Sequence, residues 1–190
     1  MLLIYDSMLS AAAETIVARR TETITAMQPL VEHYYGILAE EREKIGIEYR
    51  SEMQETPLME LLLQSRQRDF VNEHTSVGAH RDDIIFSIGD YPLRKFGSQG
   101  QQKSFLVSLK FAQYEIMKKK YGFAPVLLLD DVFDKLDMGR ISNLLQMVSG
   151  NDFGQIFITD SNKVRMSGIV DVLTQDRAYF ETVAGTFKKI

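Results

Sequence analysis

The first forty residues carry apolar side chains at the three- and four-residue spacing of a helix. One series comprises Leu2, Tyr5, Leu9, Ala12 and Ile16. A second series, offset by one residue, comprises Ile24, Met27, Val31, Tyr34 and Leu38. Such spacing places apolar residues along one stripe, which usually packs into a core. We predict a long helix or helix pair over residues 2–40, kinked or divided at Pro29, with a protruding helical arm as the alternative.

The next stretch predicts two strands and a further helix. Residues 46–51 favour a short strand, and residues 57–74 favour a helix with Pro57 in its first turn and Thr56 as its N-cap. Residues 83–96 contain two short strand-like runs around a Gly-Asp turn, which is typical of a hairpin. Residues 1–75 are therefore expected to be mainly helical.

From residue 96 onward, helical and strand patterns alternate. After a loop at 96–104, Phe105 begins a helical series that three lysines and Gly122 should end. The apolar runs 125–130 and 155–159 predict strands, the first buried on both faces as in a parallel sheet. Helices are expected around 141–148 and 162–173, and a final hairpin around Ala184-Gly185. This order predicts an α/β fold.

Composition and charge exclude several classes of site. The 190 residues include no cysteine and three histidines, so disulfides and cysteine or histidine metal sites are not expected. The net charge of −4 gives no general attraction to nucleic acid, so any DNA contact must be local. No apolar run reaches the length of a bilayer span, and the N-terminus does not fit a signal peptide. We expect a cytoplasmic protein without membrane contact.

Two acids directly follow an apolar run in "LLLDD". A buried strand ending in Asp130 and Asp131 would place carboxylates at the carboxyl edge of a sheet, where α/β proteins bind ligands. Mg²⁺ prefers a few carboxylates together with water and phosphate oxygens. A pair of solvated acids at a strand end is the alternative.

The segment "FGSQGQQKS" is a polar loop that opens a helix. Gly97 and Gly100 would free the backbone for turns, while Ser98 and Gln101 offer hydrogen-bond donors. The first amides of a helix are unpaired and partly positive, so the segment could present donors to a phosphate. An ordinary capping loop with Ser98 as the cap is the alternative.

Together these segments resemble a known family. "SQGQQ" resembles the signature loop of ABC-type ATPases, and "VLLLDDVFDKLD" resembles their Walker B strand and D-loop. Both segments are similar in sequence to RecF, a bacterial DNA-repair family related to SMC and Rad50 proteins. The segment "GAHRDDIIFSI" and the first helix also resemble this family. The resemblance implies an α/β ABC-type ATPase lobe with a partly parallel sheet flanked by helices, at 76–190, plus a helical arm subdomain at 1–75.

The resemblance also implies roles for the loop residues. Ser98, Gly100 and Gln101 would contact the γ-phosphate of ATP held by another subunit. Gln99 occupies a position where the wider superfamily commonly has glycine, and would belong to the same ATP contact.

For the acids, the resemblance implies metal binding and catalysis. Asp130 would help hold Mg²⁺ through water, and Asp131 would orient the attacking water where most relatives have glutamate. Aspartate is one methylene shorter, so slow hydrolysis is expected. Asp137 would belong to the D-loop at the subunit interface, and Asp160 or Ser161 would stand at the switch position, where histidine is common.

One part of a nucleotide site is missing from the sequence. A P-loop needs glycine followed by lysine, and none of the 12 glycines precedes a lysine. We therefore expect the C-terminal half of a RecF-like protein, with Met1 an internal start. ATP and Mg²⁺ would bind only with the N-terminal half present. The fragment alone should neither bind ATP tightly nor hydrolyse it, and its exposed strand edges should cause self-association.

The function implied by the resemblance is that of a DNA repair ATPase. ATP would join two full-length copies into a homodimer that binds DNA at single-strand/double-strand junctions and helps load recombinase at gaps, in the SOS response, with RecO and RecR as partners. Two alternatives remain open. One is a non-catalytic scaffold or regulator that kept the ABC-type fold, and the other is another SMC- or Rad50-like ATPase, which the lack of a long heptad run disfavours.

Two further sequence features have less specific interpretations. "HRD" at 80–82 matches a kinase catalytic loop only superficially, because no glycine-rich loop or DFG accompanies it. A structural cluster is favoured, and contact with the nucleotide region is the alternative. Basic residues that could meet phosphates, but are more simply explained as solvated helix faces, are Arg19, Arg20, Arg66 and Arg68.

Overall fold

The fold is given by a computed structural model that describes residues 2–40, 43–150, 152–161, 168, 170–172 and 174–190. The chain divides into two compact units, Met1–Ile116 and Met117–Ile190. The boundary expected near residue 75 lies inside the first unit, and the division into 1–75 and 76–190 stays a prediction. None of the described helices combines the length and apolar character needed to span a bilayer.

The first unit contains helices and one antiparallel sheet. Its elements in chain order are α1 (Leu2–Ala39), β1 (Ile45–Arg50), a short 3-10 turn (Glu52–Gln54), α2 (Leu58–Asn72), β2 (Asp83–Ile88), β3 (Tyr91–Pro92), α3 (Leu93–Phe96) and most of α4 (Gln99–Tyr121). The sheet has the order β1-β2-β3, with Ile45 opposite Ile88. Its core includes Tyr35 and Phe105, whose rings pack 6.3 Å apart.

Helix α1 is continuous through Pro29, so of the two predicted possibilities the long helix is confirmed and the helix pair is wrong. The second apolar series is confirmed as a buried face, with Val31 and Leu38 fully enclosed. The first series was expected to be buried, and that prediction is wrong: Leu2, Tyr5, Leu9 and Ile16 are exposed. The following residues are buried instead: Asp6, Ser10, Ala13 and Val17. The small residue Ala13 allows α2 to approach, packing with Leu58 and Leu62.

Three local predictions in the first unit need correction. Helix α2 begins after Pro57, which is itself the N-cap, so Thr56 does not cap it. The hairpin is confirmed, but its second strand is only Tyr91–Pro92, because the following residues form the helical turn α3. Helix α4 begins at Gln99 rather than near Phe105, so much of the expected 96–104 loop is helical.

The second unit contains a parallel strand pair, a helix and a hairpin. Its elements are β4 (Leu127–Leu129), α5 (Met138–Val148), β5 (Ile156–Ile158), β6 (Phe180–Val183) and β7 (Thr186–Lys189). Strands β4 and β5 are parallel, and β6 and β7 form the predicted hairpin. The helix predicted at 162–173 falls largely on residues 162–167, 169 and 173, which lie outside the described residues.

The strand β4 was expected to be buried on both faces. That prediction is wrong, because the described residues cover only one face of β4. Leu127 and Leu129 are buried, whereas Leu128 is 70% exposed. Phe157 of β5 is also exposed. Leu128 and Phe157 are register partners, so their side chains share one face of the parallel pair. That face carries large apolar side chains that no described segment covers.

Candidate functional site

The loop residues form a compact cap at the start of α4. The Ser98 hydroxyl accepts a hydrogen bond from the backbone amide of Gln101 at 3.2 Å. The backbone amide of Ser98 donates to the side-chain oxygen Oε1 of Gln101 at 2.7 Å. This reciprocal pair is a capping box, which satisfies two backbone donors at a helix start. The capping interpretation of the loop is therefore observed. It leaves Ser98 and Gln99 exposed at the tip of the turn.

Glycine is needed at position 97 by close approach rather than by an unusual backbone angle. The Gly97 amide donates to the Leu93 carbonyl oxygen at 2.8 Å, and a Cβ at Gly97 would lie 2.7 Å from that oxygen. Gly97 has φ −73°, so the expected conformational freedom is not what this position uses. Gly100 lies inside the first turn of α4.

A carboxylate outside the loop also contacts the cap. Gln101 Nε2 donates to Glu43 Oε1 at 3.0 Å, and the hydroxyl of Tyr35 donates to Glu43 Oε2. Tyr35 is fully buried. The turn is thus connected to α1 through one acidic side chain that the sequence analysis did not identify, because 58 residues separate it from Gln101.

The paired acids lie directly after β4 and are exposed. The hydroxyl of Thr159 donates to the Asp130 carboxylate. The oxygen of the same hydroxyl accepts a hydrogen bond from the Asp131 backbone amide at 3.1 Å. Asp131 has φ +46°, a left-handed conformation that aspartate tolerates better than most residues. Because Leu129 pairs with Ile158 in the parallel register, the residues that follow each strand are neighbours. The sequence analysis did not identify Thr159, because the strand register that places it beside Asp130 joins residues far apart in the chain.

The remaining predicted residues take separate positions in the second unit. Asp137 caps α5: its Oδ1 accepts the Arg140 amide at 2.9 Å, and its Oδ2 lies 3.4 Å from Arg140 Nε. Asp160 and Ser161 follow β5, with Asp160 half-buried and Ser161 exposed. The interface role of Asp137 and the switch roles of Asp160 and Ser161 stay predictions.

Within each unit the structure groups the predicted residues as the chain order suggests. Ser98, Gln99, Gly100 and Gln101 form one turn in the first unit. Asp130 and Asp131 lie at one strand end in the second unit, beside Thr159. Among the described residues no three His, Cys, Asp or Glu side chains cluster as a complete metal site. A Mg²⁺ ion held by Asp130 would need phosphate and water oxygens as its other ligands, and this role of Asp130 stays a prediction.

The "HRD" segment forms a structural cluster, as the sequence analysis favoured. The Asp82 carboxylate accepts hydrogen bonds from Arg20, at 2.8 Å, and from the Tyr49 hydroxyl. Burial, and then the hydrogen bond to Asp82, raises the pKa of the Tyr49 phenol above its ordinary value. The His80 ring is 3.0 Å from the Thr75 carbonyl oxygen.

The four arginines considered for phosphate contact all have partners within the chain. Arg19 pairs with Glu22, and Arg66 pairs with Asp6. Arg20 pairs with Asp82, and Arg68 donates to the Ser76 hydroxyl. These contacts account for the arginines without a nucleic acid.

Comparison with known proteins relates the chain to one protein family. No family model matches it. It is 36% identical over 188 residues to the DNA replication and repair protein RecF of Bacteroides thetaiotaomicron, covering 99% of the chain and 51% of that protein. The chain thus spans about half the length of the curated relatives it matches.

Solved structures agree with this relationship. The structure of the recombination mediator protein RecF-ATPrS in the RecFOR pathway has a TM-score of 0.77 and 27% identity, covering all of this chain and 50% of that one. A structure from work on ATP-driven dimerization and DNA stimulated activation of SMC ATPases has a TM-score of 0.56 at 11% identity, covering 91% of this chain and 87% of that one. The second likeness supports the fold alone. The predicted α/β fold of the ABC-type ATPases is confirmed.

Proposed function

We propose that this chain, which is related to the C-terminal half of RecF proteins, supplies the signature-type turn and the two acids of an ATP site whose phosphate cradle lies on another segment. The observation that carries the proposal is the arrangement at the end of β4. There Asp130 and Asp131 are exposed side by side, and Thr159, which directly follows the neighbouring strand β5, contacts both through its hydroxyl.

Each acid has a distinct task in this proposal. Bound Mg²⁺ would supply charge neutralisation for the phosphates. Asp130, with one carboxylate oxygen anchored by Thr159, offers an acceptor for a water on the metal. Asp131 follows in a left-handed turn, and its side chain is exposed to solvent, where the carboxylate can accept a hydrogen bond from the attacking water. Because its side chain is short, we expect hydrolysis to be slow.

The loop residues serve the neighbouring copy in this proposal. Ser98 and Gln99 are exposed at the start of a long helix, whose partly positive N-terminal end favours an anion. Gly100 and Gln101 follow in the same turn. ATP would join two copies of the complete protein, each presenting its turn to the ATP of the other, with Asp137 at their interface and Asp160 or Ser161 at the switch position.

The uncovered face of the β4–β5 pair supports a missing partner segment. Val126, Leu128 and Phe157 are all more than half exposed, and large apolar surface of this kind usually marks an interface. We propose that the half of the protein absent from this chain packs there. The isolated chain would then self-associate and neither bind ATP tightly nor hydrolyse it.

The proposal extends to the biological role by analogy with the relatives. The matched proteins are named as DNA replication and repair proteins, and one solved relative as a recombination mediator in the RecFOR pathway. We propose that the complete ATP-joined homodimer acts in the cytoplasm on single-strand/double-strand DNA junctions, helps load recombinase with RecO and RecR, and serves the SOS response.

A reconstitution experiment tests the ATP site. The chain is mixed with the separately produced N-terminal half of the Bacteroides thetaiotaomicron relative, and the mass of the complex is measured by sedimentation with and without Mg-ATP. We expect the halves to combine and ATP to double the mass. Asp130→Asn should raise the ATP concentration needed by about tenfold or more, as loss of a charge-assisted interaction worth about 1.5–3 kcal/mol implies.

Asp152→Asn is the control, because Asp152 is an exposed aspartate of the same unit outside the segment that resembles the Walker B strand and D-loop, and its carboxylate lies 3.5 Å from Lys118. It should leave the ATP dependence unchanged. Combined halves whose mass does not respond to ATP would favour the scaffold alternative. Detectable hydrolysis by the chain alone, abolished by Asp131→Asn, would contradict the proposed division of the site.

A further inference from the structure

Glu43 connects the exposed turn to the buried core of the first unit. Its Oε2 accepts the hydroxyl of Tyr35, which is fully enclosed beside the ring of Phe105. Its Oε1 accepts Gln101 Nε2 at 3.0 Å. A carboxylate has only acceptors, so it requires a donor at each of these contacts. Tyr35 lies on α1, and the contact therefore reaches from the helical segment to the start of α4.

This contact determines how the Gln101 carboxamide is oriented. With Nε2 directed at the carboxylate, Oε1 faces the Ser98 amide and accepts from it at 2.7 Å. The reversed carboxamide would place oxygen against the Glu43 carboxylate and nitrogen against the Ser98 N–H, which gives two repulsive contacts. The negative charge of Glu43 thus selects one of the two orientations.

The selected orientation also holds Ser98 in place, because Gln101 Oε1 accepts the backbone N–H of Ser98. The Ser98 hydroxyl oxygen in turn accepts the backbone N–H of Gln101 at 3.2 Å. The Ser98 side chain is exposed, so its hydroxyl hydrogen can donate to a group in solvent. An oxygen of a phosphate approaching the tip would therefore meet a hydroxyl donor whose position is held by the turn.

We propose that Glu43 is a positioning residue of the turn: anchored by Tyr35, it holds Gln101 in one orientation and thereby holds Ser98 in place as a hydrogen-bond donor to a phosphate. The role of the phosphate rests on the function proposed above. The geometry of the turn does not depend on that function, so the positioning role of Glu43 and the proposed function can be tested separately.

Amide hydrogen exchange of the chain, followed by NMR, tests the geometry. The Ser98 amide is a direct reporter, because its hydrogen bond goes to the Gln101 side chain. In Glu43→Ala we expect about fivefold faster exchange at Ser98, as loss of an ordered hydrogen bond worth about 1 kcal/mol implies. The Phe111 amide, in the buried part of α4, should exchange at an unchanged rate and so excludes general destabilisation.

Two further variants sharpen the test. Glu32→Ala is the matched control, because Glu32 on α1 accepts a similar hydrogen bond from Gln28 at 3.1 Å; it should leave Ser98 exchange unchanged. Glu43→Gln should restore most of the protection, because the Tyr35 hydroxyl can accept from a carboxamide as well as donate. If Glu43→Ala does not fold, Tyr35→Phe, which removes only the hydroxyl, should still speed Ser98 exchange. Unchanged Ser98 exchange in Glu43→Ala, or in Tyr35→Phe in its place, overturns the inference.

The reconstituted halves then test the link to phosphate. Glu43→Ala should raise the ATP concentration needed for association by several-fold, and Glu43→Gln should restore it. If Glu43→Ala speeds Ser98 exchange while the unmodified halves do not respond to ATP, the proposed function fails and the positioning role of Glu43 stands. If the unmodified halves respond and Glu43→Ala responds equally, the phosphate part of the inference is wrong.

Discussion

The two halves of α1 have the same apolar spacing and opposite surroundings. In the C-terminal half, Val31 and Leu38 are fully enclosed, and Val31 belongs to the core cluster that includes residues of β1 and α4. In the N-terminal half, Leu9 and Met8 are more than half exposed, and Asp6 and Ser10 occupy the buried side. The helix is continuous, so the difference lies in what packs against it rather than in its own geometry.

The difference shows what helical periodicity determines. The spacing of apolar residues establishes that a helix forms and that one stripe is apolar. Which stripe becomes buried depends on the neighbouring elements. In the N-terminal half the neighbour is α2, which contributes Arg66 as an ion-pair partner for Asp6. There the buried side consists of polar and small residues, and the apolar stripe has no cover among the described residues.

A leucine-to-alanine substitution should have its largest effect in the enclosed C-terminal half of α1. Leu38→Ala removes a fully buried side chain and leaves a cavity, so we expect it to lower the free energy of unfolding by about 2–5 kcal/mol. Urea denaturation followed by circular dichroism measures the change. A loss below about 1 kcal/mol would show that this half of α1 is not enclosed in solution.

A smaller effect is expected from the ion pair on the buried side of the N-terminal half. Asp6→Ala leaves the Arg66 guanidinium, which is about one-third exposed, without its carboxylate. We expect the free energy of unfolding to fall by about 1–2 kcal/mol, since part of the charge remains solvated.

Glu22→Ala, which removes the solvent-exposed pair with Arg19, is the control for Asp6→Ala, and it should change the free energy of unfolding by less than about 0.5 kcal/mol. Equal effects of the two substitutions in urea denaturation would mean that α2 does not bury this side of α1.

Much of the fold could be predicted from local patterns, because those patterns are themselves local. The lysine-rich end of α4, the parallel strands around Leu128 and Phe157, and the turn at Ala184 all follow from spacing and turn chemistry. The early start of α4 was also encoded, since Ser98 and Gln101 have the three-residue offset of a capping box.

The features that could not be predicted depend on contacts between distant residues. The exposure of Leu128 depends on which segment covers β4, and no local pattern contains that information. Glu43 contacts Gln101 across 58 positions. Thr159 contacts Asp130 across 29, and only the strand register connects them. The roles of Ser98, Asp130 and Asp131 in an ATP site stay predictions until reconstitution tests them.

The smallest effect is expected when the same leucine-to-alanine change is made in the exposed half. Leu9 is 51% exposed, so Leu9→Ala loses little buried area, and alanine slightly favours the helix. We expect the free energy of unfolding to change by less than about 0.5 kcal/mol in urea denaturation at low protein concentration. A loss above about 1 kcal/mol that grows with protein concentration would mean that a second copy covers the stripe in solution. A similar loss at every concentration would mean that the N-terminal half of α1 packs within the chain, and the contrast with Leu38 would then be wrong.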